Sequence, residues 1–147
     1  MGMPIHARPR MAKVMNLLAA CSLPSADITE KKLEHFFGCG AEDDPRGAVG
    51  IELYGEVALL RSLAVDKGAR GRGCGKRLVQ EAERYAARCG VKRLYLLTTT
   101  AERFFQTLGY AKVDRDSVPD PIRGTSEFTS LCSTSAVVMA KDAVANG

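Results

Sequence analysis

A basic, glycine-rich loop is the part of the chain best suited to chemistry. The apolar segment Leu63-Ala64-Val65 leads into it, and a helix with one apolar face is predicted from Lys76 to Cys89. Gly71, Gly73 and Gly75 alternate in the loop, so its backbone can approach a ligand closely. Free N–H groups at a helix start, together with the helix dipole, favour anions. The same stretch carries the cations Lys67, Arg70, Arg72, Lys76 and Arg77. This order predicts a phosphate-binding site.

Two common phosphate motifs do not fit this loop. A Walker loop needs a glycine where Arg70 stands and a serine or threonine where Arg77 follows Lys76. A dinucleotide fingerprint needs Gly-x-Gly-x-x-Gly and an acidic residue after the next strand, but the strand predicted at Arg93–Thr99 ends in threonines. The pattern that remains is Arg70-x-x-Gly73-x-Gly75.

The composition predicts one globular domain covering residues 1–147. This length suffices for a hydrophobic core, and 46% hydrophobic with 26% charged residues is ordinary for a soluble protein. The absence of a long apolar run and of a signal-peptide pattern predicts a cytoplasmic protein that makes no membrane contact. The net charge of +4 is concentrated around the glycine loop with few aromatic residues, which favours a phosphate ligand over nucleic acid.

The cysteines indicate free thiols rather than a metal site. The chain has five of them, an odd number, without a Cys-x-x-Cys or Cys/His cluster. We therefore expect buried thiols in a reducing compartment and no metal. Cys132 is a poor candidate nucleophile because no histidine lies near it in sequence. The five are Cys21, Cys39, Cys74, Cys89 and Cys132.

Periodicity predicts strands alternating with helices. Helices are expected at Arg10–Ala20, from about Asp27 (capped by Asp27 or Ser25) to His35, at Lys76–Cys89, and at Ala101–Leu108 capped by Thr99 or Thr100. Strands are expected at Phe36–Ala41, Arg46–Tyr54, Glu56–Val65, Arg93–Thr99, Tyr110–Asp114 and Ala136–Ala140, with a turn at Glu42–Pro45. The long segment Arg115–Ser135 is expected to be an irregular, functional loop.

Arg61 interrupts a strand that is otherwise apolar on both faces. A buried arginine needs a partner, so Arg61 must meet an acid, a ligand or a cleft. A structural ion pair with Glu52 or Glu56 on the neighbouring strand and a role at a binding site both remain open.

Two motifs resemble the GCN5-related N-acetyltransferase (GNAT) superfamily. Arg70-x-x-Gly73-x-Gly75 is similar to its pyrophosphate signature, and Ala101–Tyr110 looks like its late motif, a short helix ending in Leu108-Gly109-Tyr110. The resemblance covers nearly the whole chain. It implies an α+β GNAT fold, a three-layer αβα arrangement whose central mixed, mostly antiparallel sheet is splayed at an acetyl-CoA slot.

A narrower resemblance is to a small bacterial subgroup associated with arsenic-resistance gene clusters. It rests on Leu60–Val65, Leu94–Ala101, Glu127-Phe128 and Leu131-Cys132. Because that association is genomic, it does not identify a substrate.

The GNAT resemblance implies acetyl-CoA as co-substrate. The backbone of Leu63, Ala64 and Val65 would pair with the pantetheine arm, and an N–H near Leu63 would stabilise the oxyanion. The pyrophosphate would be held by the amides of Arg70, Gly71, Arg72, Gly73, Cys74, Gly75 and Lys76. Many relatives have asparagine at Thr98 and, at Phe105, a tyrosine that protonates the departing thiolate. Since Phe105 has no proton to donate, water, Thr98 or Thr99 would assist.

The acceptor side is less well defined. We expect Arg61, Ser62, Arg123 and Glu127 to contact substrate, and the proximity of Glu127 to Arg123 would suit a small zwitterion. An ammonium acceptor must lose a proton before it attacks, so a general base is needed. The candidate bases are Glu52, Glu56, Asp116 and Glu127.

The resemblance implies transfer of an acetyl group to the amine of a small molecule, such as an amino acid analogue or a toxic compound. One alternative is a coenzyme A-binding sensor without turnover, which Phe105 favours. Another is a peptide or protein N-acetyltransferase, although the long segment around Glu127 predicts a covered pocket. Both a monomer and a homodimer remain open, the dimer pairing through Ala136–Ala140.

Overall fold

The strands expected from hydrophobic periodicity assemble into one sheet. The structure, a computed structural model, describes residues 4–131 and 135–143. The strands of this part are β1 (Ile5–Ala7), β2 (Phe36–Ala41), β3 (Asp44–Tyr54), β4 (Val57–Val65), β5 (Arg93–Thr98), β6 (Ala111–Lys112) and β7 (Val137–Asp142). Their order is β1-β2-β3-β4-β5-β7-β6, and every neighbouring pair is antiparallel except β4 and β5. The predicted mixed, mostly antiparallel sheet is confirmed.

Helices cover both faces of this sheet. They are α1 (Met11–Ala20), α2 (Cys74–Arg88), α3 (Glu102–Thr107) and α4 (Asp120–Arg123), with 3-10 turns and a π-helix at Glu127–Leu131. Successive strand residues point to opposite faces, so Leu60 of β4 packs with α2 while Leu59 packs with Ile122 of α4. Ala48 and Ala64 pack against α1 on the face that α4 also covers. The three-layer αβα arrangement is therefore confirmed. Within the described residues, no helix is both long and apolar enough to cross a membrane.

The two central strands separate after a short parallel ladder. β4 and β5 pair from Val57–Arg93 to Leu59–Tyr95 and no further, whereas β4 remains paired with β3 as far as Val65. One edge of the β4 backbone beyond Leu59 is thereby released from the sheet. The splay that the GNAT resemblance implied is confirmed.

A β-bulge lies in the released part of β4. Gly50 of β3 pairs with Arg61, and Ala48 pairs with Ala64, so two residues of β4 lie opposite one residue of β3. Ser62 takes up the extra length with a φ of +60°, a left-handed conformation that is uncommon for serine. The bulge therefore redirects the backbone at Ser62 and Leu63.

Several predicted ends of helices and strands are wrong, because the folded structure does not follow the local sequence signals there. α2 begins at Cys74 rather than Lys76, since Gly73, with a φ of +80°, ends the loop directly before it. β3 already begins at Asp44, which shortens the predicted turn, and the strand expected at Tyr110–Asp114 is only β6. The helix expected from Asp27 is reduced to a 3-10 turn at Lys32–His35. α3 is capped by neither Thr99 nor Thr100, because its N-cap position is occupied by Ala101, which has no side chain that could cap it. The Ala101 amide itself donates to Thr98 Oγ1 over 3.0 Å.

One longer-range expectation is corrected, and a second, the pairing of a dimer through the last strand, stays a prediction. The described part of the segment expected to be irregular, from Arg115 to Leu131, is not irregular, because burial of Ile122 holds α4 against the sheet and the π-helix follows it. The last strand is not a sheet edge, because β7 pairs with β5 on one side and, at Met139 and Ala140, with β6 on the other. A dimer that pairs through Ala136–Ala140 would have to displace β6.

The Gly50 position tests how tightly β2 and β3 are packed. A Cβ on Gly50 would overlap the ring of Phe36, which is buried and has no space to move outward. We expect Gly50→Ala to lower the free energy of unfolding by about 2 kcal/mol, measured by urea denaturation. Gly68→Ala is the control, because its nearest neighbour is the end of the Asp66 side chain at 3.4 Å, and it should change stability by under about 0.5 kcal/mol. Wild-type stability in Gly50→Ala would contradict this view of the packing.

Candidate active site

The separation of β4 from β5 opens a cavity of about 800 Å³. Residues of β4 line one side and the end of β5 lines the other, while the glycine loop and the start of α2 close one end. The opposite end is formed by Arg61, Glu127 and Ala136. A volume of this size suits a cofactor-sized ligand. The cavity thus has a glycine-loop end and an opposite end, here called the acceptor end.

The glycine-loop end presents backbone N–H groups. The first hydrogen bond of α2 runs from Arg77 N to Gly73 O over 3.0 Å, so the amides of the three preceding residues lie in the first turn, where the helix offers them no acceptor. No side chain caps this terminus, and the first turn contains no acidic residue. Lys76 adds a positive charge at the cavity wall. This end can bind an anion through main-chain donors.

Arg70 fixes the loop to the end of β4. Its Nε donates to the Val65 carbonyl over 3.1 Å, and its Nη2 lies 3.6 Å from Cys21 Sγ. The side chain thereby links the loop, the strand and the end of α1. Arg70 acts on the cavity through the loop conformation as well as through its charge.

Arg61 is buried on the α1 and α4 side of the sheet, where three carboxylates surround it. Its side chain is 0% exposed. Nη1 donates to Asp27 Oδ2 at 2.5 Å and to Glu52 Oε2 at 2.6 Å, and Nη2 donates to Asp27 Oδ1 at 2.7 Å. Nη2 also lies 3.4 Å from Glu127 Oε2, and Nε donates to Ser62 Oγ over 2.9 Å. The guanidinium therefore connects a loop, β3, the π-helix and the bulge.

The carboxylates keep this guanidinium charged. Burial alone would lower the pKa of Arg61, but Asp27, Glu127 and Glu52 together raise it above its ordinary value. In return, the hydrogen bond from Arg61, helped by Lys32, lowers the pKa of Asp27 although burial acts in the other direction. Tyr54 donates to Glu52, and its pKa is raised by burial and by that bond.

Only part of this cluster was expected from the sequence. The pairing of Arg61 with Glu52 is confirmed, whereas Glu56 is wrong as a partner because it is exposed and pairs with Lys92 over 3.4 Å. The sequence gives Asp27 only a capping role, and its part as the partner of Arg61 was missed. The one available signal was the charge of Arg61 in an apolar strand. It indicates that Arg61 needs a partner but does not identify that partner.

The predicted site residues are mostly, but not all, at the cavity. Those that line it are Arg61, Ser62, Leu63, Val65, Arg70, Gly71, Gly73, Cys74, Gly75, Lys76, Thr98, Phe105 and Glu127. Ala64 is buried against α1, and Arg72 is exposed. Arg123 does not reach the cavity, because it lies on the exposed side of α4 and its Nη1 faces the Asp116 carbonyl at 3.4 Å. Asp116 is likewise exposed outside the lining.

The described cysteines are free thiols of differing exposure. Cys39 and Cys74 are buried, Cys21 is partly buried and Cys89 is exposed, so burial was predicted wrongly for Cys89. Burial, and then the neighbouring Cys39, raise the pKa of Cys74 to about 12, which keeps it protonated beside the loop. The described residues contain no group of three or more His, Cys, Asp or Glu side chains that would hold a metal. Cys132 lies outside the described residues.

Comparison with known proteins assigns the family. Residues 11–110 match the family model described as acetyltransferase (GNAT) family, which is more than half of the chain. The chain belongs to the GNAT acetyltransferase family. The two motifs on which the resemblance rested, the glycine loop and Ala101–Tyr110, both lie within the matched range.

Relatives of this GNAT chain include proteins longer than the matched region. An uncharacterized N-acetyltransferase of Chlorobaculum tepidum is 32% identical over 97 residues, 63% of this chain and 62% of that protein. An amino-acid acetyltransferase of Ralstonia nicotianae is 35% identical over 95 residues, 62% of this chain and 19% of that protein. The matches thus cover less than two thirds of either relative.

A solved structure supports the GNAT fold. N-acetylglutamate synthase from Neisseria gonorrhoeae, in complex with coenzyme A and N-acetyl-glutamate, superposes with a TM-score of 0.83 at 17% identity. The alignment covers 98% of this chain and 36% of that chain. The fold that the two proteins share therefore extends over essentially all of the present chain and about a third of the synthase.

The two departures from the GNAT pattern both face the cavity. Phe105 is buried, with edge-on ring contacts to Phe104 and Tyr110 that hold it in the core. Thr98 Oγ1 accepts the hydrogen bond from Ala101 and retains its own proton for donation. Phe105 thus brings no hydroxyl to the cavity, whereas Thr98, at the end of β5, does.

The Arg61 cluster predicts a pH-dependent contribution of Asp27 to stability. The folded-state pKa of Asp27 is lowered from the ordinary value of 3.8, so its contribution is complete above pH 3.8 and is lost as the pH falls below it. We expect Asp27→Asn to lower the free energy of unfolding by roughly 2 kcal/mol at pH 7, with the difference shrinking towards pH 2. Urea denaturation over this pH range measures it.

The control is Glu34→Gln. Glu34 pairs with Arg8 on the surface, where the two side chains are 45% and 63% exposed, so its loss should cost under about 0.5 kcal/mol at pH 7. If Asp27→Asn lowered the free energy of unfolding equally at pH 7 and pH 2, Asp27 would act through its shape rather than its charge.

Proposed function

We propose that the chain binds acetyl-CoA and transfers its acetyl group to the amine of a small molecule by direct attack on the thioester. The observation that carries this proposal is the cavity between β4 and β5, which joins a main-chain anion site to a partly charged acceptor end. Membership of the GNAT acetyltransferase family supports it. So do the relatives named as N-acetyltransferase and amino-acid acetyltransferase, and the fold neighbour that contains coenzyme A.

The cofactor would occupy the full length of the cavity. The released edge of β4 at Leu63, Ala64 and Val65 offers backbone groups that can pair with the two amides of pantetheine, as an added strand would. The pyrophosphate would lie on the main-chain amides of the loop and the first turn of α2, here Arg70, Gly71, Arg72, Gly73, Cys74, Gly75 and Lys76. This orientation places the thioester towards the acceptor end.

The chemistry follows from that orientation. The neutral amine nitrogen attacks the thioester carbonyl carbon, the C–N bond forms, and the carbonyl oxygen becomes an oxyanion. We assign the Leu63 N–H, redirected by the bulge at Ser62, as the donor to that oxyanion. The carbonyl then re-forms as the C–S bond breaks, coenzyme A leaves as the thiolate, and the attacking nitrogen gives up its extra proton to water or to that thiolate.

The reaction needs a base that deprotonates the acceptor and a group that can donate a hydrogen bond or a proton to the thiolate. Glu127 is the candidate base because, of the four carboxylates considered from sequence, it alone lines the cavity. It would accept the proton that the ammonium acceptor releases. The thiolate, with an ordinary thiol pKa of about 8.5, leaves without an obligatory acid, so Phe105 does not block the reaction. The Thr98 hydroxyl or water would donate to the sulfur.

The sensor alternative shares the cofactor site and differs only in turnover. Phe105 is the feature that favours it. Release of free thiol from acetyl-CoA, measured over a broad amine panel, distinguishes the two functions. Binding of acetyl-CoA with no release for any amine would support the sensor.

Gly73→Glu tests the phosphate site. The φ of +80° and the position directly before α2 mean that a carboxylate here would stand against the bound pyrophosphate. We expect acetyl-CoA affinity, measured by calorimetry, to fall at least about 100-fold, since both charge repulsion and backbone strain oppose binding.

The matched control is Gly90→Glu, at the other end of the same helix. Gly90 has a φ of +90° and, like Gly73, open space where a Cβ would lie, so it reproduces the strain and the charge away from the cavity. Its affinity should stay within about threefold of wild type. Equal losses in the two variants would contradict the assigned pyrophosphate position.

Ser62→Val tests the bulge. A β-branched residue is strongly disfavoured at a φ of +60°. The backbone at Leu63 should therefore rotate, and its N–H should no longer point towards the oxyanion. We expect kcat to fall at least about tenfold while acetyl-CoA affinity changes by less than about threefold. Ser62→Gly tolerates this φ and should retain more activity than Ser62→Val. The reverse order would contradict the role given to the bulge.

A further inference from the structure

The cavity narrows where the parallel ladder of β4 and β5 stops. Leu59 and Tyr95 form the last pair of that ladder, so Leu60 and Leu96 are the first residues at which the two strands are no longer joined. Paired strands lie about 4.8 Å apart, and β4 and β5 diverge from this spacing. Leu60 and Leu96 both line the cavity, and each is only 2% exposed. These two leucines and Phe105, which also lines the cavity, are here called the apolar floor.

The apolar floor and the charged groups of the acceptor end lie on opposite sides of the sheet. The three floor residues belong to the hydrophobic cluster on the α2 side. Because successive strand residues point to opposite faces, Arg61 and Leu97 lie on the other side, where Arg61 meets its carboxylates. An alkyl group at the narrow part of the cavity would therefore find apolar surface on the α2 side and buried charges on the other.

The apolar floor is supported from behind by the core. Its members pack in one cluster with Leu78 and Val79 of α2 and Met139 of β7, all of which are fully buried. The ring of Phe105 is fixed by edge-on contacts with Phe104 and Tyr110. Protein interiors are packed as densely as organic crystals, so the floor cannot move back to admit more atoms without overpacking.

We propose that the apolar floor receives the alkyl part of the acyl group and limits its length, so that acetyl is accepted and butyryl is excluded. This inference rests on the proposed function and adds the residues that set its acyl specificity. Pantetheine that pairs with β4 from Val65 to Leu63 would lead the thioester towards the narrow part of the cavity, and the acyl chain would continue in that direction. The methyl group of acetyl would contact the floor, and the two further methylenes of butyryl would have to displace it.

The competing arrangement turns the acyl chain away from the floor and towards Arg61. The chain would then lie against a guanidinium and its carboxylates, which lose favourable polar surroundings when an alkyl group covers them. It would also occupy the space that the acceptor amine must enter. Binding of butyryl-CoA as tightly as acetyl-CoA is the outcome that this arrangement predicts.

Binding of two thioesters to the wild-type protein tests the proposal without an acceptor. Calorimetry gives the Kd of acetyl-CoA and of butyryl-CoA, which differ only by two methylenes. We expect butyryl-CoA to bind at least about tenfold more weakly, because a single extra methylene in a closed apolar pocket already has an effect of this size. A ratio of the two Kd values below about ten overturns the proposal.

Leu60→Ala shows whether the floor sets this limit. Removal of the side chain deepens the floor, so the ratio of the butyryl-CoA Kd to the acetyl-CoA Kd should fall below about three. Leu59→Ala is the matched control, because Leu59 is the preceding residue of β4, is fully buried, and packs on the opposite side of the sheet outside the cavity lining. It should keep the wild-type ratio.

Leu96→Ala repeats the comparison from the facing strand and serves where Leu60→Ala does not fold. It should lower the ratio in the same way. A wild-type ratio in the folded floor variants, or an equal fall in Leu59→Ala, overturns the proposal. The wild-type comparison of the two thioesters decides the matter by itself if neither floor variant folds.

The experiment also separates this inference from the function on which it rests. If neither thioester binds, the proposed cofactor site is wrong, and the role of the apolar floor is overturned with it. If both thioesters bind equally well, the cofactor site stands and only the role of the floor is wrong.

Discussion

Burial of the Arg61 charge in the middle of a sheet is the constraint on which the acceptor half of this protein depends. A guanidinium with no exposed surface must be surrounded by acids, and here they come from segments far apart in sequence. Asp27 brings in the loop after α1, Glu52 belongs to β3, and Glu127 brings in the π-helix. Because Arg61 also bonds Ser62, the ion cluster is tied directly to the β4 bulge.

The two ends of the cavity present different chemical groups. At the glycine loop, main-chain amides, the α2 dipole and Lys76 favour a polyanion. At the acceptor end, Glu127 lines the cavity and lies 3.4 Å from the Arg61 guanidinium. The proposed polyanionic cofactor would thus bind at the glycine-loop end, with its thioester towards the acceptor end. The separation of β4 from β5 provides the continuous space, and the bulge redirects the backbone within it.

Much of the fold and of the cofactor end was predictable because the signals are local. Alternating apolar residues identified most strands, and the glycines of the loop indicated a close backbone approach. The acceptor end was less predictable, since a side-chain charge does not specify its partner. Glu52 could be predicted because it lies on the neighbouring strand, whereas Asp27 belongs to a loop with no regular pattern. Arg123 was assigned to the site because it is close to Glu127 in sequence, but α4 turns its side chain away from the cavity.

The sequence by itself determined the alternation of strands and helices, the glycine-rich loop ahead of α2, and the need of Arg61 for a partner, because each follows from residue types at fixed short spacings. The layered α+β architecture was implied by the resemblance to the GNAT superfamily. Only the tertiary structure decided which acids pair with Arg61, that Glu127 rather than Glu56 or Asp116 reaches the cavity, and that Ser62 bears the strain of the bulge. The physical reason is that strand pairing and helix packing bring together groups more than 30 residues apart, and no local pattern records those contacts.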